Sequence, residues 1–412
     1  MNISFPETIP KIRNYLQNPF YRNSFYITLG RVTDVGFGFL FWTLAARLYS
    51  ISEVGIATAL ISSLSLVMIF SSFGFDFTAI RFMPSHDHNR VFNTCLWITT
   101  AAAIVAGTIY LTTIDLISSE IAFIRDYAPL FLIFAVVNSV TLITGSTLLS
   151  LRKADLKFIQ NIIMGVRLPL LLPLTLLGGL GVFYSFGFAY LIATIFALAA
   201  IRGYVTLTPQ IDWEFARKTF SFSSFNYLAN LFLDVPTYIM PILIVNLLNP
   251  NDAALYYIAF AIGNLVLIIP NAMSTAFFVE GSHGINLRKG VFRNLVVTYA
   301  VLIPTVLIVV TFGEFPLGLF GKNYLVAFDL LKVIAISSLF VTIYNLFIPL
   351  QNIRLQVRGI VIINMIRFVL LLGLSYILLT WFGVIGAGYA WMITHIMLSA
   401  GIAAFAKSKG WI

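Results

Sequence analysis

Seven ionisable side chains, Arg31, Asp34, Arg167, Asp234, Asp329, Lys332 and Arg367, interrupt stretches that are otherwise almost wholly apolar. If those stretches cross a bilayer, each charge costs at least about 2.5–3.5 kcal/mol at the helix centre and must be paired or face a wet cavity. Arg31 and Asp34 stand three residues apart, near enough on one helix face to neutralise each other. Asp329 and Lys332 repeat that spacing near the outer end of their stretch, where snorkelling to the interface is easy. Arg31 lies nine residues beyond Arg22, about 13 Å deep at 1.5 Å per residue, which is too deep to snorkel.

Arg167, Arg367 and Asp234 have no compensating neighbour on their own helices. Asn226, Asn230 and Asp234 follow i, i+4, i+8 spacing and form one polar stripe, which is expected to face the other half of the protein or water rather than lipid. Arginine suits bidentate capture of a phosphate. Arg31, Arg167 and Arg367, at matched depth on three helices, are therefore candidate anion ligands, with Asn226 and Asn230 beside them. The competing reading has each arginine binding its own bundle together through helix-end carbonyls. Asp34 and Asp234 are the candidates for binding a driving cation or for pairing between the two halves.

The elements that must position these groups follow from composition. The chain has 412 residues, 59% of them hydrophobic and 10% charged, against about a quarter charged in a soluble domain. Twelve helices of about 21 residues would absorb this apolar content. An all-α polytopic membrane protein is predicted, with spans at 24–46, 55–76, 92–113, 128–150, 159–179, 182–201, 222–247, 254–277, 292–313, 326–350, 359–381 and 383–405. The single cysteine, Cys95, excludes an internal disulfide and any Cys-rich metal site. His395 has no second ligand at metal spacing, and His86 and His88 share a loop with Asp87, so no metal is expected. No Gly-rich phosphate loop is present, and no cofactor is expected.

The net charge of +9 is scattered between apolar runs rather than gathered on one face, which argues against a nucleic-acid partner. It reads instead as topology. With the N-terminus inside, eighteen Lys and Arg fall in cytoplasmic segments, and only Arg47, Arg125 and Lys322 fall outside, as the positive-inside tendency requires. Both termini are thus expected in the cytoplasm and the protein in the plasma (inner) membrane.

Five segments are expected. The leader, 1–20, carries Ile12, Tyr15, Leu16 and Phe20 at helical spacing beside Lys11 and Arg13, which fits either an interfacial amphipathic helix or an ordered tail. It has no apolar core of a cleavable signal. After it come a six-helix lobe at 21–201, a cytoplasmic linker at 202–220, a second six-helix lobe at 221–405 and a tail at 406–412. No outside loop is large enough to be a domain, which weighs against a membrane enzyme acting on external glycans.

The two lobes carry an internal repeat. Asp34-Val35 returns as Asp234-Val235, Arg167 as Arg367, Glu53 as Asp252, and Gly187-Phe188-Ala189-Tyr190 as Gly388-Tyr389-Ala390-Trp391, at offsets of 200, 200, 199 and 201. With six spans in each half the repeats are parallel, which implies two bundles around a central cavity. Pro169, Pro173, Pro236, Pro241, Pro270, Pro304 and Pro349 interrupt spans and would kink them.

The run Leu44-Ala45-Ala46-Arg47-Leu48-Tyr49-Ser50-Ile51-Ser52-Glu53-Val54-Gly55, followed by Phe73-Gly74-Phe75-Asp76 and Arg81-Phe82, resembles the first hairpin of the oligosaccharide and polysaccharide flippases of the multidrug/oligosaccharidyl-lipid/polysaccharide superfamily. Leu248-Asn249-Pro250-Asn251-Asp252-Ala253-Ala254-Leu255 is similar to the second-half counterpart. The resemblance implies a flippase that moves lipid-linked oligosaccharide or polysaccharide repeat units from the cytoplasmic to the outer leaflet by alternating access. It implies a lipid-linked (pyro)phosphoryl glycan as substrate, membrane lipid as surroundings, and glycosyltransferases or a polymerase of the same pathway as partners. Two other readings stay open: a cation-coupled drug or metabolite antiporter of the same superfamily, and a membrane-embedded glycan polymerase or ligase.

Overall fold

The computed structural model describes residues 19–282, 287–354 and 356–408. The amphipathic pattern of the leader lies outside these residues. Every regular element within them is helical, as an apolar chain without water to satisfy its backbone requires. The fold class expected from the sequence, an all-α polytopic protein, is the one observed.

The α-helices are α1 (Pro19–Leu48), α2 (Ile51–Ser72), α3 (Phe75–Phe82), α4 (His88–Ile117), α5 (Ala128–Ser150), α6 (Ala154–Met164), α7 (Arg167–Leu170), α8 (Gly179–Ile201), α9 (Trp213–Leu247), α10 (Pro250–Ser282), α11 (Leu287–Phe312), α12 (Glu314–Phe320), α13 (Phe328–Ile353), α14 (Val357–Phe382) and α15 (Ile385–Ser408). Among the described residues ten helices are long and apolar enough to cross a membrane, two fewer than the twelve spans read from the sequence. The differences fall at the first and fifth spans. Helix α1 has 30 residues, ample length, but Arg22, Arg31, Asp34 and Arg47 dilute its apolar character. The fifth span, expected over 159–179, is broken. Helix α6 stops at Met164, α7 is a single turn holding Pro169, and Pro173 and Gly178 divide the stretch between α7 and α8, because proline removes a backbone donor and clashes with the preceding turn. Pro236, Pro241, Pro270, Pro304 and Pro349 by contrast lie inside continuous helices.

The chain forms two compact units. Unit 1 comprises Met1–Leu44, Leu64–Thr113 and Phe123–Tyr227, and unit 2 comprises Ala45–Ser63, Ile114–Ala122 and Leu228–Ile412. Membership thus departs from chain order: the turn between α1 and α2 and the segment after α4 pack with unit 2.

In unit 1 a core of Phe75, Met83, Phe92, Cys95, Leu148 and Phe215 ties α3, α4, α5 and the start of α9 together. The expected linker is mostly helical or pinned. Asn89 Oδ1 accepts from Thr206 N–H at 2.6 Å, Asn93 Nδ2 donates to Thr206 O at 2.9 Å, Trp97 Nε1 donates to Thr208 O at 2.7 Å, and Thr94 Oγ1 accepts from Asp212 N–H at 3.0 Å. Asp212 then starts α9, accepting from Phe215 N–H at 2.7 Å while pairing with Arg90 at 2.5 Å. These two interactions, the backbone one first, hold its carboxyl below the usual range. Gly187 on α8 lies flat against the Phe134 ring of α5, where a Cβ has no room.

In unit 2 its repeat mate Gly388 plays the same part on α15, where a Cβ would stand 2.8 Å from Leu330 of α13. The two short turns ahead of α2 and α10, paired by the repeat, carry corresponding side-chain caps. Glu53 accepts from Ser50 N–H at 2.7 Å and its own N–H donates to Ser50 Oγ, a reciprocal cap on α2. On α10 Asn249 Oδ1 accepts from Asp252 N–H at 2.9 Å, while the Asn249 side-chain amide donates to Asp252 Oδ2 at 2.7 Å. Such caps satisfy orphan donors at a helix start.

Candidate functional site

Unit 1 gathers a polar cluster where α1, α6, α7 and α8 meet. Asp34 projects from α1, and Asn161 on α6, 4% exposed, donates its Nδ2 to Asp34 Oδ2 at 2.9 Å and to Gly30 O at 3.4 Å. One turn earlier on α6, Lys157 donates to Gln160 Oε1 at 3.1 Å, and Gln160 donates on to Thr144 Oγ1 at 3.1 Å. Lys157 and Arg167 both lie within electrostatic reach of Asp34. Arg167 opens α7, immediately after the break in the fifth span. Its guanidinium stands 5.2 Å from the Phe41 ring centre and 5.9 Å from that of Phe186, cation–π distances, while its buried Nε has no hydrogen-bond partner. The cluster therefore contains an acid that is already bonded and an arginine with an unused donor.

Unit 2 repeats the plan with different chemistry. Asn364 on α14 donates to Ala229 O at 2.9 Å, the counterpart of Asn161 reaching Gly30 O, and accepts from the Tyr344 hydroxyl at 2.6 Å. Arg367, 4% exposed, donates Nη1 to Leu233 O at 2.9 Å and Nε to His395 Nε2 at 3.4 Å. His395 is free to accept there because its Nδ1 bonds Trp391 O at 2.8 Å. The rings of Trp391 and Tyr344 lie 5.0 and 5.8 Å from the guanidinium. Asp234 is within electrostatic reach of Arg367, and no hydrogen bond to its carboxylate is found among the described residues.

The structure thus places Asp34 with Arg167 and Asp234 with Arg367, each pair within one unit. Arg31 does not neutralise Asp34 as the spacing suggests. It is exposed, and Asp34 takes its partners from α6 and α7 instead. The Asn226 side chain lies outside the described residues, and Asn230 is half-buried on α9. Asp329 and Lys332 pair at 2.5 Å, as their spacing predicts. Sequence reasoning missed Lys157, Gln160, Asn161, Tyr344, Asn364 and the accepting role of His395. The two asparagines carried the one readable signal, since each is a polar residue preceding a repeat arginine within an apolar run. No group of His, Cys, Asp and Glu able to hold a metal ion occurs among the described residues.

Residues 20–278 match the family described as polysaccharide biosynthesis protein. The chain belongs to that family. No curated protein matches it by sequence. The family member's fold is that of transporters of the MOP superfamily. It is similar to the lipid II flippase MurJ in an inward closed conformation, with a TM-score of 0.73 at 15% identity over 93% of this chain and 87% of that one. It is similar to an inward-facing multidrug resistance transporter of the MATE family, with a TM-score of 0.70 at 14% identity over 93% and 94%. A MOP superfamily transporter from Pyrococcus furiosus superposes with a TM-score of 0.59 at 14% identity over 95% and 96%. This polysaccharide biosynthesis family member is accordingly a multi-pass helical membrane protein with a transporter's fold.

Proposed function

We propose that this protein is a flippase that carries lipid-linked oligosaccharide or polysaccharide repeat units from the cytoplasmic to the outer leaflet of the plasma membrane by alternating access of its lobes, 21–201 and 221–405. Family membership supports the glycan pathway, and the transporter fold supports translocation rather than bond chemistry. The observation that carries the reading is Arg167, a membrane-embedded arginine whose buried Nε lacks a partner in a span already broken around it. A lipid-linked glycan carries a phosphate or pyrophosphate, and an arginine fork is the side chain suited to hold it. Arg31, exposed on α1, is the second cation for that group, and Asn226 and Asn230 supply hydrogen bonds for the sugar. Arg367 is spoken for by Leu233 and His395, so its part is to fix α14 against α9 beside Asp234. Asp34 and Asp234 couple transport to a cation or to conformational change. Glycosyltransferases or a polymerase of the same pathway are the natural partners, and both termini lie in the cytoplasm.

The second reading, a cation-coupled antiporter, is favoured by one observation, the Asp34 carboxylate in a membrane helix. The two separate in proteoliposomes. A flippase moves a fluorescent lipid-linked oligosaccharide across the bilayer in a protein-dependent way and leaves cationic dyes in place. Dye efflux without glycan-lipid movement would overturn the flippase reading.

A further inference from the structure

Helices α13, α14 and α15 enclose a groove of about 910 Å3 within unit 2, inside the roughly 300–1,000 Å3 of small-molecule sites. Its walls are apolar: Phe347, Ile363, Leu370, Leu398 and Ile402 line it, and Ile362, Ile366 and Met397, all largely exposed, form the open side. Polar groups occur at one end only. Arg358, exposed in the first turn of α14, stands there, together with Gln351 in the last turn of α13. The Gln351 side chain is 2% exposed, yet its Oε1 has no hydrogen-bond partner. The amide lies over Gly359, where an added Cβ would come within 3.3 Å of it. A buried acceptor left unpaired is costly, so the groove presents an apolar channel, a cation at its mouth and an acceptor just inside that awaits a donor.

The length of the groove names the kind of molecule. From Arg358 to Leu370 is twelve positions along α14, about 18 Å, close to one leaflet of a hydrocarbon core about 30 Å thick. The positive-charge asymmetry assigns the Arg358 end to the cytoplasmic face. We infer that this groove holds one anionic glycerophospholipid of the cytoplasmic leaflet, its phosphate on Arg358, a headgroup hydroxyl donating to Gln351 Oε1, and its acyl chains along α14 and α15. Basic residues between membrane helices on that side are suited to such headgroups. The site lies wholly in unit 2 and does not involve Arg31 or Arg167, so it stands apart from the glycan-lipid site proposed above.

The test uses the full chain, purified in detergent and titrated with phosphatidylglycerol or phosphatidylcholine while bound lipid is counted by native mass spectrometry. Wild type is expected to keep one phosphatidylglycerol and to prefer it about tenfold over phosphatidylcholine, the value of one charge-assisted contact. Arg358→Gln should erase the preference. Gly401 lines the groove and an added Cβ there meets nothing within 4 Å, so Gly401→Leu has room for its Cβ, places its side chain in the channel, and should abolish the bound lipid while the protein still folds. Gln351→Leu should weaken phosphatidylglycerol more than phosphatidic acid, which lacks the glycerol headgroup. Equal lipid retention by wild type and Gly401→Leu, or no preference in the wild type, would overturn the inference, as would displacement of phosphatidylglycerol by equimolar polyprenyl phosphate. Uptake of lipid-linked glycan by Gly401→Leu is read separately, so failure of either site is seen on its own.

Discussion

Asn161 bonds the carboxylate of Asp34 and the carbonyl of Gly30 with one amide nitrogen, at 2.9 and 3.4 Å. It thereby clamps α6 to α1 just before the fifth span breaks. Asn364 makes the equivalent reach to Ala229 O from α14, but there the helix continues without interruption to Phe382. The same asparagine clamp therefore anchors a broken helix in unit 1 and a continuous one in unit 2. This asymmetry leaves the repeat arginine with an unused donor, Arg167, beside the broken helix.

Breaking that clamp gives the first prediction. Asn161→Leu leaves Asp34 without its hydrogen-bonded partner but in reach of Lys157 and Arg167, so folding should survive while transport slows. Asp34→Asn should slow it as well, because Asn161 then faces a neutral amide. The check is glycan-lipid translocation in proteoliposomes at matched protein. Wild-type rates for both variants across a range of pH and sodium would remove Asp34 from the transport cycle.

The orientation can be read with an impermeant thiol reagent. Cys95 is fully buried, so it contributes no background. Cysteine at Asn251, an exposed residue in the first turn of α10, should react in sealed cells, and cysteine at Arg202, exposed at the end of α8, should react only after lysis. Labelling of position 202 in sealed cells would invert the topology.

The offsets near 200 residues were informative because the repeat is written in backbone needs. A cap at Ser50 and at Asn249, and a small residue at Gly187 and at Gly388, are dictated by local geometry and survive as recognisable letters. The charged groups were legible as costly and as repeated, but not their partners. Asp34 takes Asn161 rather than Arg31, and Arg367 takes a carbonyl and a histidine, since helix–helix contacts depend on rotation and packing that a single sequence does not state. The broken fifth span was written in Gly165, Pro169, Pro173 and Gly178, yet its apolar content concealed the break from a reading based on length.

The capped turns also meet each other. Gly55, just inside α2, lies against the backbone carbonyl of Pro250 at the start of α10, leaving no space for a Cβ. Backbone cannot swing aside as a side-chain tip can, so Gly55→Ala should destabilise by about 1–3 kcal/mol, the usual range for overpacking. The measurement is thermal unfolding in detergent. A Gly36→Ala control, where an added Cβ meets nothing, should be neutral or slightly stabilising.

In the segment leading into α9, Asp212 should show two separable roles. Asp212→Asn keeps an acceptor for Phe215 N–H but loses the ion pair with Arg90, whereas Asp212→Ala loses both, so alanine should loosen the linker more than asparagine. Because folding lowers this carboxyl's pKa, its contribution is complete above the ordinary carboxylate range. It is lost only as pH falls through the lowered value. Hydrogen exchange at residues 206–216 should therefore stay protected at mildly acidic pH in wild type and rise in the alanine variant at every pH.

The last prediction separates the two repeat arginines, which the sequence presents as equals. Arg367 is buried, bonded to Leu233 O and enclosed by Trp391, Tyr344 and His395. Removing it strands a buried carbonyl and an aromatic cage, so Arg367→Ala should cost about 3 kcal/mol or more and lower the yield of folded protein. The folded fraction should still bind glycan-lipid normally. Arg167 leaves Nε unused and is held by the Phe41 and Phe186 faces and a hydrogen bond with Tyr190, so Arg167→Ala should fold in higher yield than Arg367→Ala but bind the phosphate-bearing lipid about tenfold more weakly. Arg167→Lys keeps the charge without the fork and should recover only part of that affinity. Affinity per folded molecule, measured for each variant with a lipid-linked oligosaccharide, decides it. If Arg167→Ala binds as wild type does, the phosphate is held elsewhere, and Arg31 with the Asn226 and Asn230 face becomes the site to test.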